Sequence, residues 1–424
     1  MQLKPVLGSV QLVFYSVGVI IGAGVYSVIG TAAGLAEGGL WLSFVIGALV
    51  ALLTGFSYAE MTTSFPTAGA EYVYLQRALP KAGWAAFGLG IVILLGGAAT
   101  ASTVAVAFGG YLKEFVDVPV AVSALALLAI CTGLNIFGMQ ESSWANILFT
   151  SIEVGGLILL IAAGFTQPGL AEPLFASPPS GVIPAAAILF FVYLGFEEIA
   201  NLTEEVRNPA RDLPRAIFIS LGITTLLYVL VSLAVVALAQ PGELAASSAP
   251  LALAIQKVWP GAGNVLSAIA LFATANTVLI TMIATSRLAF SMGRDGELPR
   301  SFASLTPGRH TPWLAAALAF TMAAALLPLG SVKVLAEISS FSALLAFLAV
   351  NLALILLRYR MPDHPRPFRV PLAIGRMPVL PLLAIASICL LLANFERSVY
   401  VAGAIALVVT GAIYGLRCLW TGKR

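Results

Sequence analysis

The chain of 424 residues is 60% hydrophobic and only 10% charged, with a mean hydropathy of +0.99. Soluble domains carry about 25% charged residues, so this composition excludes a soluble enzyme or binding module and describes an integral membrane protein. The net charge of +3 comes with no basic tract interleaved with aromatics, which leaves no feature for nucleic acid and makes the lipid bilayer the partner.

Crossing roughly 30 Å of hydrocarbon takes about 20 apolar residues. Twelve stretches meet that requirement, at about 10–33, 40–59, 84–112, 118–138, 145–165, 182–203, 216–239, 262–286, 312–331, 335–357, 378–395 and 398–416. The expectation is an all-α chain of twelve transmembrane helices forming one transmembrane domain, with short connections. The first stretch is longer than the apolar region of a secretory signal and many more follow it, so it reads as a span. With Lys4 inside and the spans alternating, 18 of the 22 Lys and Arg fall on the cytoplasmic side. Only Lys113, Lys257, Lys333 and Arg397 remain outside, which predicts both termini in the cytoplasm of a cell (inner) membrane.

Span 1 holds "GVIIGAGVY", with Gly18, Gly22 and Gly24 inside an uncharged run. Each glycine costs roughly 1 kcal/mol relative to alanine in a helix interior. Gly18 and Gly22 form GxxxG, a spacing that lets two membrane helices approach closely, but the added Gly24 and the polar interruption in span 6 tip the reading toward an unwound segment. After span 2, "TAGAEYVYLQRALP" reads as an amphipathic inner helix, in which Glu71 and Arg77 are candidates to pair. Span 3 contains no acid, and Gly96, Gly97, Ala98 and Ala99 leave room beside them. Span 5 carries Glu153 at membrane depth. An intramembrane carboxylate is a functional candidate by default, and three roles stay open for it: proton carrier, protonated interhelical glue, or cation ligand.

Span 6, "VIPAAAILFFVYLGFEEIANLT", places Gly195, Glu197, Glu198 and Asn201 where hydrocarbon is expected. Spans 1 and 6 are related as i and i+5. Together with "SSAPLALAIQKVW", a helix-like piece after span 7, this predicts a five-plus-five inverted repeat. The first repeat covers about 10–165 and the second about 182–357, with two peripheral helices at about 378–416. Unwound backbone is tolerated at membrane depth only where protein or a cavity satisfies it. It bares amide N–H groups at a half-helix start, which suit an anion, and carbonyls, which suit an ammonium or a cation. A ligand carrying both ends is an α-amino acid.

The remaining polar residues read as structural. Glu60, Glu204, Glu205, Arg207, Arg211 and Arg215 sit at inner helix ends as candidates for ion pairs, and His310 and His364 lie in inner loops. Cys131, Cys389 and Cys418 have no metal or CxxC spacing and read as small core residues. With no HExxH, GxSxG or metal cluster, no enzyme activity, cofactor or metal is expected. A passive channel would need a continuous polar lining, whereas the polar features concentrate at two breaks.

"VIIGAGVYSVIG", "YAEMTTSFPTAGAEYVYLQRALP", "GFEEIANLTEEVRNPARDLPRAI", "SRLAFSMGRDGELPRSF" and "VNLALILLRYRMPDHPRPFRVPL", in order along the chain, resemble the amino acid, polyamine and organocation transporter family. That resemblance implies a fold like the bacterial leucine transporter, ten core helices plus two, working by alternating access. It assigns Gly22, Ala23 and Gly24 to the substrate carboxylate and the carbonyls around Ile20 and Ile21 to its amine. Phe191, Val192 and Leu194 match the stretch that closes over the amino acid, with Phe191 as the gate. The cationic branch resembles a design with a carboxylate in span 3, so the absence of one here leans toward neutral, hydrophobic L-amino acids; a cationic amino acid or polyamine exchanger is the alternative. In span 5 the family's proton-carrying lysine is replaced by Glu153. Thr285 and Ser286 resemble the hydroxyl donors that hold sodium in relatives of the same fold, opposite the carbonyls of Gly18 and Ile21. Proton and sodium both stay open as coupling ion, as does an accessory subunit.

Overall fold

The computed structural model describes residues 8–66, 70–138, 143–172, 180–307 and 309–421; within its helices the side chains of Asn201, Glu204, Glu205 and Cys418 lie outside the described residues. Every apolar stretch named above falls on a helix or on a helix broken in two. Span 1 is α1 (Ser9–Ile21) followed by α2 (Gly24–Ala36), and α3 (Leu40–Ser64) is span 2. The short helix α4 (Ala70–Ala78) precedes α5 (Gly83–Leu112), α6 (Val120–Phe137) and α7 (Ser143–Phe165). Span 6 starts as α8 (Val182–Leu189) and continues in 3-10 form over Phe190–Tyr193 and Phe196–Glu205. Then follow α9 (Pro209–Leu238), the short α10 (Pro241–Ala246) and α11 (Pro250–Gln256), α12 (Ala262–Arg294), α13 (Trp313–Leu326) and α14 (Val332–Arg360). A small antiparallel hairpin, β1 (Ala373–Ile374) with β2 (Met377–Pro378), leads into α15 (Val379–Leu392) and α16 (Arg397–Thr421).

Among the described residues, eight helical segments are long and apolar enough to cross a bilayer, or nine if the bent pair Val379–Leu392 and Arg397–Ala412 counts as one. One of the eight, Gly24–Ser64, runs 41 residues, or about 60 Å at 1.5 Å per residue, twice the thickness of hydrocarbon. Glu37, with φ of 47°, followed by Gly38 and Gly39, marks the turn inside it. The protein is a multi-pass, mostly helical membrane protein.

Small residues set the packing. α5 lies between α12 and α14. A β-carbon on Gly96 would meet Ser342 of α14, and one on Gly97 would meet Thr285 of α12. The room left by Gly96 and Gly97 is therefore taken by neighbouring helices rather than kept for a ligand, and Ala98 and Ala99 are fully buried. Cys131 is buried as expected, whereas Cys389 is exposed on α15.

The end of the bundle where α3 and α14 finish is held by buried charge. Glu60, fully buried, takes the Nε and Nη2 donors of Arg358, the Nη1 donor of Arg366 at 3.0 Å and the Val370 N–H at 2.7 Å. Four donors on one carboxylate satisfy the condition under which a buried ion is retained. Its partners are thus in α14 and the following loop, not Arg207, Arg211 or Arg215. The expected Glu71–Arg77 pair does not form either: Tyr58 donates to Glu71 at 2.8 Å, and Arg77 lies over the Phe65 ring at 4.7 Å. His364 also stacks on the Phe65 ring, at 4.5 Å and 10°, and its Nε2 lies 2.9 Å from the Ser64 carbonyl.

Candidate functional site

Both breaks form, and they meet. α1 ends at Ile21; Gly22 has φ of 23° and ψ of −155°, and α2 restarts at Gly24. In span 6 the 3-10 stretch stops at Tyr193, Leu194 is extended (φ −62°, ψ 141°), and Gly195 has φ of 116°. Positive φ at these two glycines is the conformation a side chain disfavours, which answers why the residues are glycine. A β-carbon on Gly195 would lie 3.0 Å from the Val19 carbonyl oxygen, and one on Gly24 would lie 3.1 Å from Val192 Cα. The unwound segment of one span therefore abuts the unwound segment of the other, backbone to backbone.

The polar groups freed by unwinding have identifiable partners. The Ala23 N–H donates to Thr277 Oγ1 of α12 at 3.0 Å, and the Gly195 N–H donates to Glu197 Oε2 at 2.8 Å. The Tyr228 hydroxyl of α9 faces three carbonyls at once: Ile20 at 2.9 Å, Val192 at 3.2 Å and Ile21 at 3.4 Å. At the start of α2 the first intrahelical bond runs from Ser27 N–H to the Ala23 carbonyl at 3.0 Å. The amides of Gly24, Val25 and Tyr26 thus precede the helical ladder, as at any helix N-terminus. Ile20, Ile21, Ala23, Phe191 and Val192 are all buried; Gly22 and Gly18 are buried with them, while Leu194 and Gly24 are partly exposed.

Span 5 lies against the first half of span 1. Gly18 packs on Thr150, and Glu153, one turn on, has a side chain only 2% exposed. Its backbone carbonyl accepts from the Tyr26 hydroxyl at 2.8 Å, and the Tyr111 hydroxyl in turn donates to the Tyr26 carbonyl at 3.0 Å. Glu153 is therefore beside both halves of span 1.

Thr285 and Ser286 sit elsewhere. The Thr285 hydroxyl donates to the Thr281 carbonyl at 2.8 Å and faces Gly97. Ser286 donates to the Ile283 carbonyl at 2.8 Å and accepts from Asn135 Nδ2 at 3.0 Å. Both belong to the contact of α12 with α5 and α6, and the hydroxyl of α12 that reaches the break is Thr277. Eight residues separate Thr277 from Thr285, about 12 Å along a helix. Thr277 and Tyr228 were not singled out from sequence. A tyrosine in the apolar run "LLYVL" is the one signal that pointed to Tyr228, since a buried phenol needs a partner.

Two broken membrane helices meeting at buried, hydrogen-bonded backbone define a membrane transport protein. The model of the amino acid permease family matches residues 7–415, and the chain belongs to that family. It is 31% identical to the branched-chain amino acid permease BcaP of Bacillus subtilis (strain 168), over 98% of this chain and 93% of that protein. It is 29% identical to the methylthioribose transporter of the same organism, over 92% and 88%. Against the vacuolar cationic amino acid transporter 4 of Arabidopsis thaliana the identity is 32%, over 85% of this chain and 64% of that protein. These relatives are transporters and not enzymes, and this chain is an amino acid permease.

Proposed function

We propose that this permease carries neutral, hydrophobic L-amino acids across the cell membrane by alternating access, coupled to protons. It does so with twelve spans in a five-plus-five inverted repeat plus two peripheral helices, and with both termini in the cytoplasm. The twelve arise when α1 and α2 count as one broken span, α13 spans with the turn that follows it, and α15 and α16 each cross. The observation that carries the reading is the meeting of the two breaks at Gly24–Val192 and Gly195–Val19. There the substrate carboxylate takes the amides at the start of α2, where the helix dipole favours negative charge: that of Gly24 directly, and those of Ala23 and Gly22 in place of their present acceptors, Thr277 Oγ1 and the Gly18 carbonyl. The ammonium takes the carbonyls of Ile20, Ile21 and Val192, displacing the Tyr228 hydroxyl, and Phe191 and Leu194 close over the side chain. The match to a branched-chain amino acid permease and the acid-free span 3 support an apolar side chain, because a buried unpaired cation is costly.

Glu153 is the proton carrier in this reading. Protonated, it is a neutral group beside Gly18; ionised, it draws span 5 and the first half of span 1 into a different balance, and the cycle links proton release to opening. A second reading, an exchanger of cationic amino acids, is favoured by Glu197 and Glu198 next to the span 6 break and by the cationic relatives. Thermal unfolding of the purified protein with leucine, phenylalanine, lysine, arginine and putrescine separates the two. A ligand at 100 times its dissociation constant stabilises the fold by about 2.7 kcal/mol. Stabilisation by leucine or phenylalanine is expected; stabilisation by lysine, arginine or putrescine alone would replace the neutral substrate with a cationic one.

A further inference from the structure

Outside the transport site, a cavity of about 310 Å³ opens where α14 ends and the loop to the β1–β2 hairpin begins. Its charged lining is Arg358, His364, Arg366, Arg369 and Arg376, with Asp363 as the acid. Glu60 neutralises part of this set through Arg358 and Arg366. Four guanidiniums nevertheless face two carboxylates, so positive charge is in excess. Arg369 and Arg376 are exposed and enter no ion pair recorded among the described residues. Arg366 registers that excess: its hold on its proton is lowered, first by burial and then, against the pull of Glu60, by Arg358 and Arg369.

A cluster of arginines at a membrane edge is ordinarily a solvated face. Two observations set this one apart. Arg358 is 3% exposed, and its Nη1, shut off from solvent, meets no acceptor among the described residues. A buried guanidinium donor without an acceptor is costly, and Arg358 is among the residues lining a cavity large enough for a phosphoryl group. The second is the apolar edge beside the cavity. Leu372 and Ile374 on the hairpin are 67% and 79% exposed, immediately before α15 enters the apolar layer. Arginine's planar fork suits phosphate oxygens, and basic pockets beside membrane helices take anionic headgroups.

We propose that this cavity binds the phosphate of an anionic glycerophospholipid, with Arg358, Arg369 and Arg376 around the headgroup and the acyl chains beside Leu372 and Ile374. The shared chemistry is a phosphate anion, and the apolar rim assigns its source to the bilayer rather than to solution. Occupancy ties the end of α14, the loop and the start of α15 together over the Glu60 cluster, without involving the residues that hold substrate.

The test uses the full-length protein in an uncharged detergent, titrated with dioctanoyl phosphatidylglycerol, dioctanoyl phosphatidylcholine and inorganic phosphate, with binding read by melting temperature and native mass spectrometry. Phosphatidylglycerol is expected to bind at least tenfold more tightly than phosphatidylcholine. The Arg369→Gln/Arg376→Gln variant is expected to lose that preference at least tenfold, with the melting temperature of the lipid-free protein unchanged. Should the double variant not fold, Arg376→Gln alone, at the exposed hairpin tip, carries the same test with at least a threefold loss. Equal binding of the two lipids, or full phosphatidylglycerol preference in the variants, overturns the site. Inorganic phosphate binding as tightly as phosphatidylglycerol overturns the lipid source and assigns the cavity to a soluble anion.

Discussion

Removing one oxygen atom from Tyr228 tests the junction of the two breaks. The residue is fully buried, with its ring 5.6 Å from that of Tyr193 and 5.5 Å from that of Phe44. Tyr228→Phe keeps the ring and its packing and deletes only the hydroxyl that lies within 3.4 Å of three carbonyls. One hydroxyl proton serves one carbonyl at a time, so the three distances do not add. Losing a hydrogen bond costs about 0.5–1.5 kcal/mol net, rising to about 1–3 kcal/mol where a buried acceptor is left alone. The expected loss of stability is therefore about 1–3 kcal/mol, measured by reversible denaturant titration in mixed micelles. Tyr193→Phe is the control: its hydroxyl donates to the Phe44 carbonyl at 2.9 Å and also bonds the Thr225 side chain, away from the break in span 1, and its loss should stay near about 1 kcal/mol. Saturating substrate should narrow the Tyr228→Phe deficit, because an ammonium supplies donors to the same carbonyls, and should leave the Tyr193→Phe deficit unchanged. A Tyr228→Phe protein as stable as the parent, or a deficit equal in both variants and blind to substrate, would refute the idea that this hydroxyl fastens the junction.

Four further outcomes follow from other parts of the molecule. Gly24→Ala puts a β-carbon 3.1 Å from Val192 Cα and should weaken substrate binding at least tenfold in folded protein; unchanged affinity by direct titration would separate the breaks from the substrate. Glu153→Gln keeps size and removes ionisation, so accumulation driven by a pH gradient in proteoliposomes should vanish while counterflow exchange persists; full gradient-driven uptake would end the carrier role. Glu60→Gln strips the buried charge from between Arg358 and Arg366 and should cost about 3–5 kcal/mol, read as a lower melting temperature, while Glu60→Met/Arg358→Met should cost less. Glu71, outside the spans, is pushed up to about 7, first by burial and further by Glu198, against the Tyr58 hydrogen bond. A raised carboxyl pKa means the folded state holds its proton longer, so stability falls as pH rises from 4.5 to about 7 and the deficit is complete above that. Glu71→Gln should remove this slope, worth about 1–2 kcal/mol after allowance for partial exposure at 1.36 kcal/mol per pKa unit; an unchanged melting profile over that range would contradict it.

Composition and apolar run length were enough to locate every helix that carries the fold, because hydrocarbon thickness imposes a minimum length. The breaks were legible for a similar reason: glycines and carboxylates are too expensive at membrane depth to be incidental. What sequence left open was rotation about the helix axis. Thr277, Thr281 and Thr285 are spaced four apart and share a face of α12, so nothing in their order says which one meets span 1; packing against Ala23 and Gly97 decides it. The spaciousness read into Gly96 and Gly97 failed on the same ground, since a missing side chain admits a neighbouring helix as readily as a ligand. The partners of Glu60 lie 298 and 306 residues away, and charge at a helix end carries no record of which distant arginine reaches it. A tyrosine in an apolar run, as at Tyr228, signals that its hydroxyl needs a partner but not which one, because it fits an interfacial belt as well as a buried junction.

The ten residues Phe196–Glu205 are wound as 3-10 helix, far longer than the three or four residues such winding usually lasts. At a rise of about 2.0 Å per residue against 1.5 Å for an α-helix, the segment is about 5 Å longer than the same residues would be at α-helical pitch. Rewinding these ten residues as α-helix would shorten span 6 by nearly the height of one turn and, as 120° per residue became 100°, rotate its far end by about 200° relative to the part held through Gly195 at Val19. The winding of this segment thus sets both how far the chain after span 6 stands from the junction of the two breaks and which way it faces.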